Sequence, residues 1–253
     1  MSSITLERVQ HNLKRLKLGH IEQTLGDKLK RFENDDRSFL QLLDELLEEE
    51  VTCKEQRRVE TALRTAGLPF VKSIDEYDFA FHPDLDQRKV ISLFDLVFLT
   101  RQENIIFLGP PGVGKTHLAV SLALKACQAG VSIYFTTMAD LIEKLRTDKE
   151  KGRLGRGRSY LKSSLVIVDE VGYTPVSREE CHLFFQFVSY RYERSSTIIT
   201  SNKAFDEWQE LFEDPVIVTA ILDRLLHHSI VINIKGHSYR LKDKLNLSKR
   251  SEK

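Results

Sequence analysis

"IIFLGPPGVGKTHLA" (Ile105–Ala119) is the stretch on which the reading of this chain turns. An apolar run ends at Leu108, a loop rich in glycine and proline follows, and Lys115-Thr116 opens a segment with helical spacing. The loop matches G-x-x-x-x-G-K-[ST] as Gly109, Gly114, Lys115 and Thr116, in the context the motif requires, with a strand before it and a helix after it. Glycines let backbone N–H groups wrap around phosphate oxygens with no side chain in the way. The positive end of the following helix dipole points at the same oxygens. Lys115 is placed to reach β- and γ-phosphates, and the Thr116 hydroxyl to take one position on a Mg²⁺ ion. Gly109, Pro110, Pro111, Gly112, Val113, Gly114, Lys115, Thr116 and His117 are therefore the candidate ATP contacts.

A second motif needs the first. "LVIVDEV" (Leu165–Val171) is a buried strand that ends in two acids. Asp169 would hold Mg²⁺, and Glu170 is placed to polarise an attacking water as general base. "TIITSN" ends another β run at Asn202. In a sheet that sets this strand between the other two, Asn202 would orient that water. Its structural alternative is a cap for the next helix.

Outward from these motifs, strand and helix signals alternate. "KTHLAVSLALKACQAG" reads as a helix closed by Gly130, "VSIYFTT" as a strand, "MADLIEKLRTD" as a helix, "REECHLFFQFVSYRYER" as a helix and "IVINI" as a last strand. The run between Phe205 and Ser229 reads as two short helices. Such alternation argues for a parallel sheet covered on both faces. Upstream the pattern changes. Ile4, Leu6, Val9, Leu13 and Leu16 recur at helical spacing, as do Phe39, Leu43, Leu46 and Leu47. A further helix is expected from Thr52, capped with Glu55 and closed by Gly67 and Pro69. The segment 69–87 is irregular, and Phe79 and Phe81 in it read as packing residues that anchor the linker, with passage near an adenine as the alternative. One helix is expected over about 87–100. The organisation expected is an all-helical domain at 1–67, an α/β domain at 68–246 and a flexible tail at 247–253.

Composition narrows the class without naming a partner. Of 253 residues, 38 are basic and 37 acidic, a formal charge of +1, so any nucleic-acid contact must come from a local patch. Cys53, Cys127 and Cys181 are scattered without metal spacing, as thiols in a reducing compartment would be. No apolar run approaches the roughly 18 residues of a membrane helix. The expected location is cytoplasmic, with no membrane partner. "DKEKGRLGRGRSYLK" (Asp148–Lys162) supplies such a patch with Lys149, Lys151, Arg153, Arg156, Arg158 and Lys162. Basic side chains on glycine-rich backbone suit duplex DNA phosphates, with little sequence preference. A solvated loop or a contact with a neighbouring subunit is the alternative. His227-His228 shows no third ligand and reads as structural.

These motifs resemble a known family. "LGPPGVGKTHLA", the long block from Leu165 to Asn202, "DPVIVTAILDRLLHHS" and "GHSYRL" are similar to the AAA+ ATPases of the initiator clade. Within them they resemble the IstB-like helper ATPases of insertion sequences, relatives of the DnaC-type helicase loaders. The resemblance covers nearly the whole chain. It implies a P-loop AAA+ three-layer α/β/α domain behind a small helical one. It also implies an ATPase that forms homo-oligomers on DNA, with ATP at the subunit interfaces, and serves a partner transposase. By the family pattern Arg224 is an arginine finger for a neighbour's γ-phosphate. Arg240 is a second phosphate sensor or a brace for the last strand. Only a short tail follows Arg240, and no full helical lid is expected there. A helicase loader and a nucleotide-gated adaptor are the competing readings. Glu170 and Arg224 argue against the adaptor, because a clamp needs neither.

Overall fold

The computed structural model describes residues 3–32, 37–155 and 159–241. The chain divides into two units, Met1–Thr61 and Ala62–Lys253. The tail at 247–253, together with Arg156 and Arg158 of the basic loop, lies outside the described residues.

The first unit is built from α1 (Ser3–Arg15), α2 (Gly19–Phe32) and α3 (Phe39–Thr65), the last of which begins in it. Ile21, Leu25, Leu42 and Leu46 form its core, with Leu6, Leu13, Leu18, Leu29 and Phe32 packed around them. The Glu50 carboxylate, 2% exposed, accepts from the backbone N–H groups of His20 (2.8 Å) and Ile21 (2.9 Å). It satisfies two donors in the first turn of α2, the job a capping side chain does. The helix expected to start at Thr52 does not start there, because α3 runs through that position without a break. Between Phe39 and Thr52 there is no glycine or proline to stop the helix, and Glu50, two residues back, is anchored.

The second unit opens with 3-10 turns at Ile74–Glu76 and Phe79–Phe81. Then come α4 (Gln87–Ser92), a 3-10 turn at Leu93–Asp95 and α5 (Val97–Thr100). The single helix expected over 87–100 is therefore broken, at Leu96, whose φ of 58° is left-handed. Burial of Val90, Leu93 and Phe98 fixes both halves and leaves the bend between them.

The rest alternates: β1 (Asn104–Leu108), α6 (Lys115–Gln128), β2 (Ile133–Thr137), α7 (Met138–Glu150), α8 (Ser159–Lys162), β3 (Leu165–Val171) and α9 (Arg178–Arg191). It continues with β4 (Ser196–Ser201), α10 (Trp208–Leu211), α11 (Pro215–His227) and β5 (Ser229–Asn233). The strands form one parallel sheet in the order β2-β3-β4-β1-β5. Every residue of β4, and all of β1 after Asn104, is buried. That is the pattern of strands covered on both faces. Ile106, Leu108, Val166, Val168 and Ile199 face a core shared with α7, α9 and α11. α6 packs across the sheet as well, touching β1 to β4. Local signals set the helix starts. Ser177 and Glu180 make a capping box for α9, and Asp214 caps α11 ahead of Pro215.

Candidate nucleotide site

The C-terminal ends of β1, β3 and β4 converge, which is where open parallel sheets bind ligands. A cavity of about 620 Å³ opens there. Its floor is the loop Pro111–Thr116, its acidic wall Asp169 and Glu170, and its aromatic wall Phe70, Tyr77, His82 and Tyr239.

The loop is shaped by what packs on it. Gly109 has a φ of 148°, and a Cβ there would lie 2.2 Å from the Ile234 carbonyl oxygen. Gly114 has a φ of 94°, and a Cβ there would meet the Tyr77 ring at 2.6 Å. Neither position has room for another residue, and both conformations favour glycine. The Tyr77 hydroxyl donates to the Val113 carbonyl at 3.1 Å, and burial pushes its pKa up to about 12. The segment after β5 covers the loop from the other side, with the Tyr239 N–H donating to the Gly112 carbonyl at 2.9 Å. This brings Arg240 to the cavity wall.

Lys115 is 5% exposed. Its ammonium donates to the carbonyls of Gly109 (2.7 Å) and Pro110 (2.9 Å). Burial lowers its pKa to about 8; Arg240 pushes the same way, and Asp169 and Glu170 oppose. A desolvated cation held by two weak acceptors suits a multiply charged anion.

Thr116 donates to Asp169, with its oxygen 3.0 and 3.1 Å from the two carboxylate oxygens. This pair of hard oxygen donors fits Mg²⁺. The Thr200 hydroxyl also donates to Asp169, in a very short bond, and accepts from the Glu170 backbone N–H at 3.1 Å. Between Val168 and Val171 the register of β3 on β4 shifts. Glu170 sits in that bulge with a φ of 61° and an exposed side chain. Bulges of this kind re-aim side chains near active sites. Thr200 thus ties the two acids together. The sequence signal that could have marked Thr200 is its place in β4 two residues before Asn202.

β4 does lie between β3 and β1. Asn202 follows its end, and its side-chain oxygen is buried without a hydrogen-bond partner among the described residues. His117 lines the cavity, and its Nε2 lies 3.0 Å from the Ser73 carbonyl, stapling the first 3-10 segment to α6. Phe79 and Phe81 pack edge-on against the lining rings, Phe79 on Tyr77 at 4.9 Å and Phe81 on Tyr239 at 5.1 Å. Tyr77, His82 and Tyr239 come from segments without periodicity, so pattern reading had no means of finding them.

Arg224 does not line this cavity. It lies in the second half of α11, its Nη1 donating to the Ala220 carbonyl at 3.0 Å and its guanidinium 4.7 Å from the centre of the Phe185 ring. The basic stretch is in part helical: Lys149 lies in the last turn of α7, where it pairs with Glu179 at 2.8 Å, Lys162 ends α8, and Lys151, Arg153 and Lys162 are exposed. The stretch precedes β3, at the opposite end of the strands from the cavity. His227 and His228 gain a third neighbour that the sequence did not reveal. With Glu193 they bring one potential ligand atom each to within 4.8 Å of one another, all on exposed side chains.

A phosphate loop after β1, an acidic pair on β3 and this strand order define a P-loop ATP-binding domain of the AAA+ kind. Residues 11–247 match the family model described as IstB-like ATP binding protein, and the chain belongs to that family. It is 45% identical over 233 residues to the ATP-binding protein named for insertion sequence IS21 of Pseudomonas aeruginosa, covering 92% of this chain and 88% of that one. It is 42% identical over 238 residues to the corresponding IS232 protein of Bacillus thuringiensis, covering 94% and 95%. Among solved structures, DnaI is similar with a TM-score of 0.51 at 21% identity, over 64% of this chain and 90% of that one. AMPPCP-bound DnaA from Aquifex aeolicus is similar with a TM-score of 0.55 at 19% identity, over 71% and 56%. These two likenesses show the fold.

Proposed function

We propose that this chain hydrolyses ATP at junctions between protomers assembled on duplex DNA, and that the assembly prepares target DNA for a partner transposase. The observation that carries this reading is a division of labour. Lys115, Thr116, Asp169, Glu170 and Arg240 share one cavity, while Arg224 lies outside it. On this reading a protomer holds the nucleotide with its own cavity, and Arg224, lying outside that cavity, serves the site of a neighbour. Insertion-sequence relatives support the transposase as partner.

In this mechanism Lys115 leaves the Gly109 and Pro110 carbonyls for the β- and γ-phosphates. Thr116 and Asp169 would hold Mg²⁺, which would neutralise charge on the phosphate oxygens. Glu170 takes the proton of the attacking water, and Asn202 fixes that water's position. Arg224 of a neighbouring protomer meets the γ-phosphate, an interaction whose removal costs about 10³–10⁵ in rate. The loop carrying Lys149, Lys151, Arg153, Arg156, Arg158 and Lys162 contacts DNA phosphates, so binding weakens steeply with salt. The setting is the cytoplasm.

Mixing two inactive variants tests this reading. Glu170→Gln should bind ATP and assemble on DNA, with turnover down about 10²–10⁴-fold. Arg224→Ala should be comparably slow. Mixed on DNA, the two restore turnover, because some junctions join an intact Glu170 site to an intact Arg224. A mixture no faster than either variant alone would remove the shared-site mechanism.

A further inference from the structure

We propose that Glu193, His227 and His228 form a binding site for a transition-metal dication of the Zn²⁺ class, outside the nucleotide cavity. The proposal stands apart from the nucleotide reading and uses none of that cavity's residues.

The fold brings two distant segments together here. α11 ends with His227, and His228 follows as its C-cap. α9 ends at Arg191, and Glu193 lies in the turn before β4 with a φ of 55°. Each of the three side chains offers one ligand atom, and those atoms lie within 4.8 Å of one another. Consecutive residues inside a helix point about 100° apart, which hides the two histidines as a pair in the sequence. His228 escapes that limit. Its φ of −126° and ψ of 81° are not helical, and the two imidazole centres lie 4.0 Å apart.

The spacing suits a metal. A tetrahedral ion with bonds of roughly 2.0–2.2 Å sets its ligand atoms about 3.4 Å apart. The His228 Nε2 is 3.8 Å from the Glu193 carboxylate, close to that spacing already. All three residues are exposed, so small side-chain rotations close the remainder without disturbing the core. Two imidazoles and one carboxylate select Zn²⁺, Cu²⁺ or Ni²⁺, whereas Mg²⁺ and Ca²⁺ take oxygen shells. Three protein ligands leave a fourth position for water.

Tyr192 supports the same site from behind. Its hydroxyl lies 2.8 Å from His227 Nδ1. Its pKa is raised, by desolvation first and by a hydrogen bond to Glu193 second, so the phenol keeps its proton and gives it to the carboxylate. The phenol oxygen then accepts from Nδ1–H, which leaves the Nε2 lone pair of His227 for the ion. Metal-bound histidines are held through their other nitrogen in this way. Arg224 borders the same crevice but does not fill the site, because its guanidinium rests on the Phe185 ring and the Ala220 carbonyl. An ion held here ties the end of α11 to the turn between α9 and β4.

The test is a Zn²⁺ titration of the nucleotide-free protein in competition with a colorimetric chelator, with excess Mg²⁺ present to occupy hard-oxygen sites. Wild-type protein should take up a single Zn²⁺ per chain with a dissociation constant of roughly micromolar or below. His227→Ala and His228→Ala should each weaken uptake at least about 100-fold, and Glu193→Gln at least about tenfold. Tyr192→Phe, which removes only the supporting oxygen, should weaken it about tenfold. The ligands are exposed, so the variants should keep the fold, shown by ATP affinity within about twofold of wild type. Zn²⁺ uptake as tight in the two histidine variants as in the wild type overturns the proposal. So does a wild type that takes up no Zn²⁺ below about 100 μM.

Discussion

Lys115 and Arg191 are both cations buried inside the α/β unit, at opposite ends of the same strands, and the protein treats them differently. Arg191 is 2% exposed, and burial lowers its pKa to about 9. Its guanidinium donates to the carbonyls of Ser163 (2.9 Å), Ser196 (2.5 Å) and Leu161 (3.2 Å) and to the Thr197 hydroxyl (3.0 Å). It knits the starts of β3 and β4 to the end of α9, and its fork is spent on the protein. Lys115 is about as deeply buried, but it is held by two carbonyls of its own loop and faces a cavity. A buried charge saturated by fixed acceptors belongs to the fold. A buried charge on exchangeable acceptors, beside space for an anion, belongs to a ligand.

Exchanging the consequences of the two residues would break that distinction. Arg191→Leu should cost on the order of 3 kcal/mol, because several buried carbonyls lose their donor at once. In a chain of this size that is a fall of roughly 6–12 °C in a thermal melt, with ATP affinity in the surviving folded protein within about twofold of wild type. Lys115→Ala should do the reverse. ATP affinity should fall about 10²-fold by calorimetric titration, with the melting temperature of the nucleotide-free protein little changed. If Arg191→Leu weakened ATP binding as much as Lys115→Ala, the two ends of the sheet would be one functional network.

Thr200 sharpens the comparison at the nucleotide end, where the key contacts run between side chains. Thr200→Val removes the hydroxyl shared by Asp169 and the Glu170 N–H while keeping the shape. Turnover should fall about 10- to 100-fold, and the Mg²⁺ concentration for half-maximal activity should rise. Thr200→Ser, which restores the hydroxyl, should recover most of both. A Thr200→Val protein with an unaltered Mg²⁺ dependence would reduce Thr200 to a packing residue.

What the sequence revealed follows from where its signals are local. The phosphate loop, Asp169 and Glu170 were legible because strand, glycines and charged residues are contiguous there. The end of a β run marked Asn202, and the family resemblance singled out Arg224 and Arg240. Apolar runs fixed the strands, since a strand buried on both faces must be apolar throughout. The break at Leu96 was not legible. It arises from the burial of Val90, Leu93 and Phe98, which overrides a plausible helical pattern. Nor was the aromatic wall, because Tyr77 and His82 reach the cavity through 3-10 turns and loops without a repeat. Only the fold shows the part Arg191 plays, with acceptors from two separate segments, Leu161 and Ser163 ahead of β3 and Ser196 and Thr197 at the start of β4.

The smallest effect separates the two cations by pH. In the nucleotide-free protein Lys115 has a pKa of about 8, lowered chiefly by burial. Phosphates favour its charged form, so a bound triphosphate raises that pKa. Binding above pH 8 must then take up a proton, and affinity should fall as pH rises through that value. A group with a pKa of 8 is mostly protonated at pH 7 and mostly deprotonated at pH 9, so ATP should bind roughly tenfold more weakly at pH 9 than at pH 7. The stability of the nucleotide-free protein moves in the opposite sense. The unfolded chain holds this proton up to about pH 10.4, whereas the folded one releases it from pH 8. Between those values the unfolded state binds more protons, and the Lys115 contribution to stability rises with pH. Arg191 meets no ligand, so its titration should not enter the affinity profile. Lys115→Met, which keeps the stem and loses the charge, should bind ATP weakly and with the slope above pH 8 abolished. A slope that persisted in Lys115→Met would place the titrating group elsewhere and leave Lys115 charged throughout.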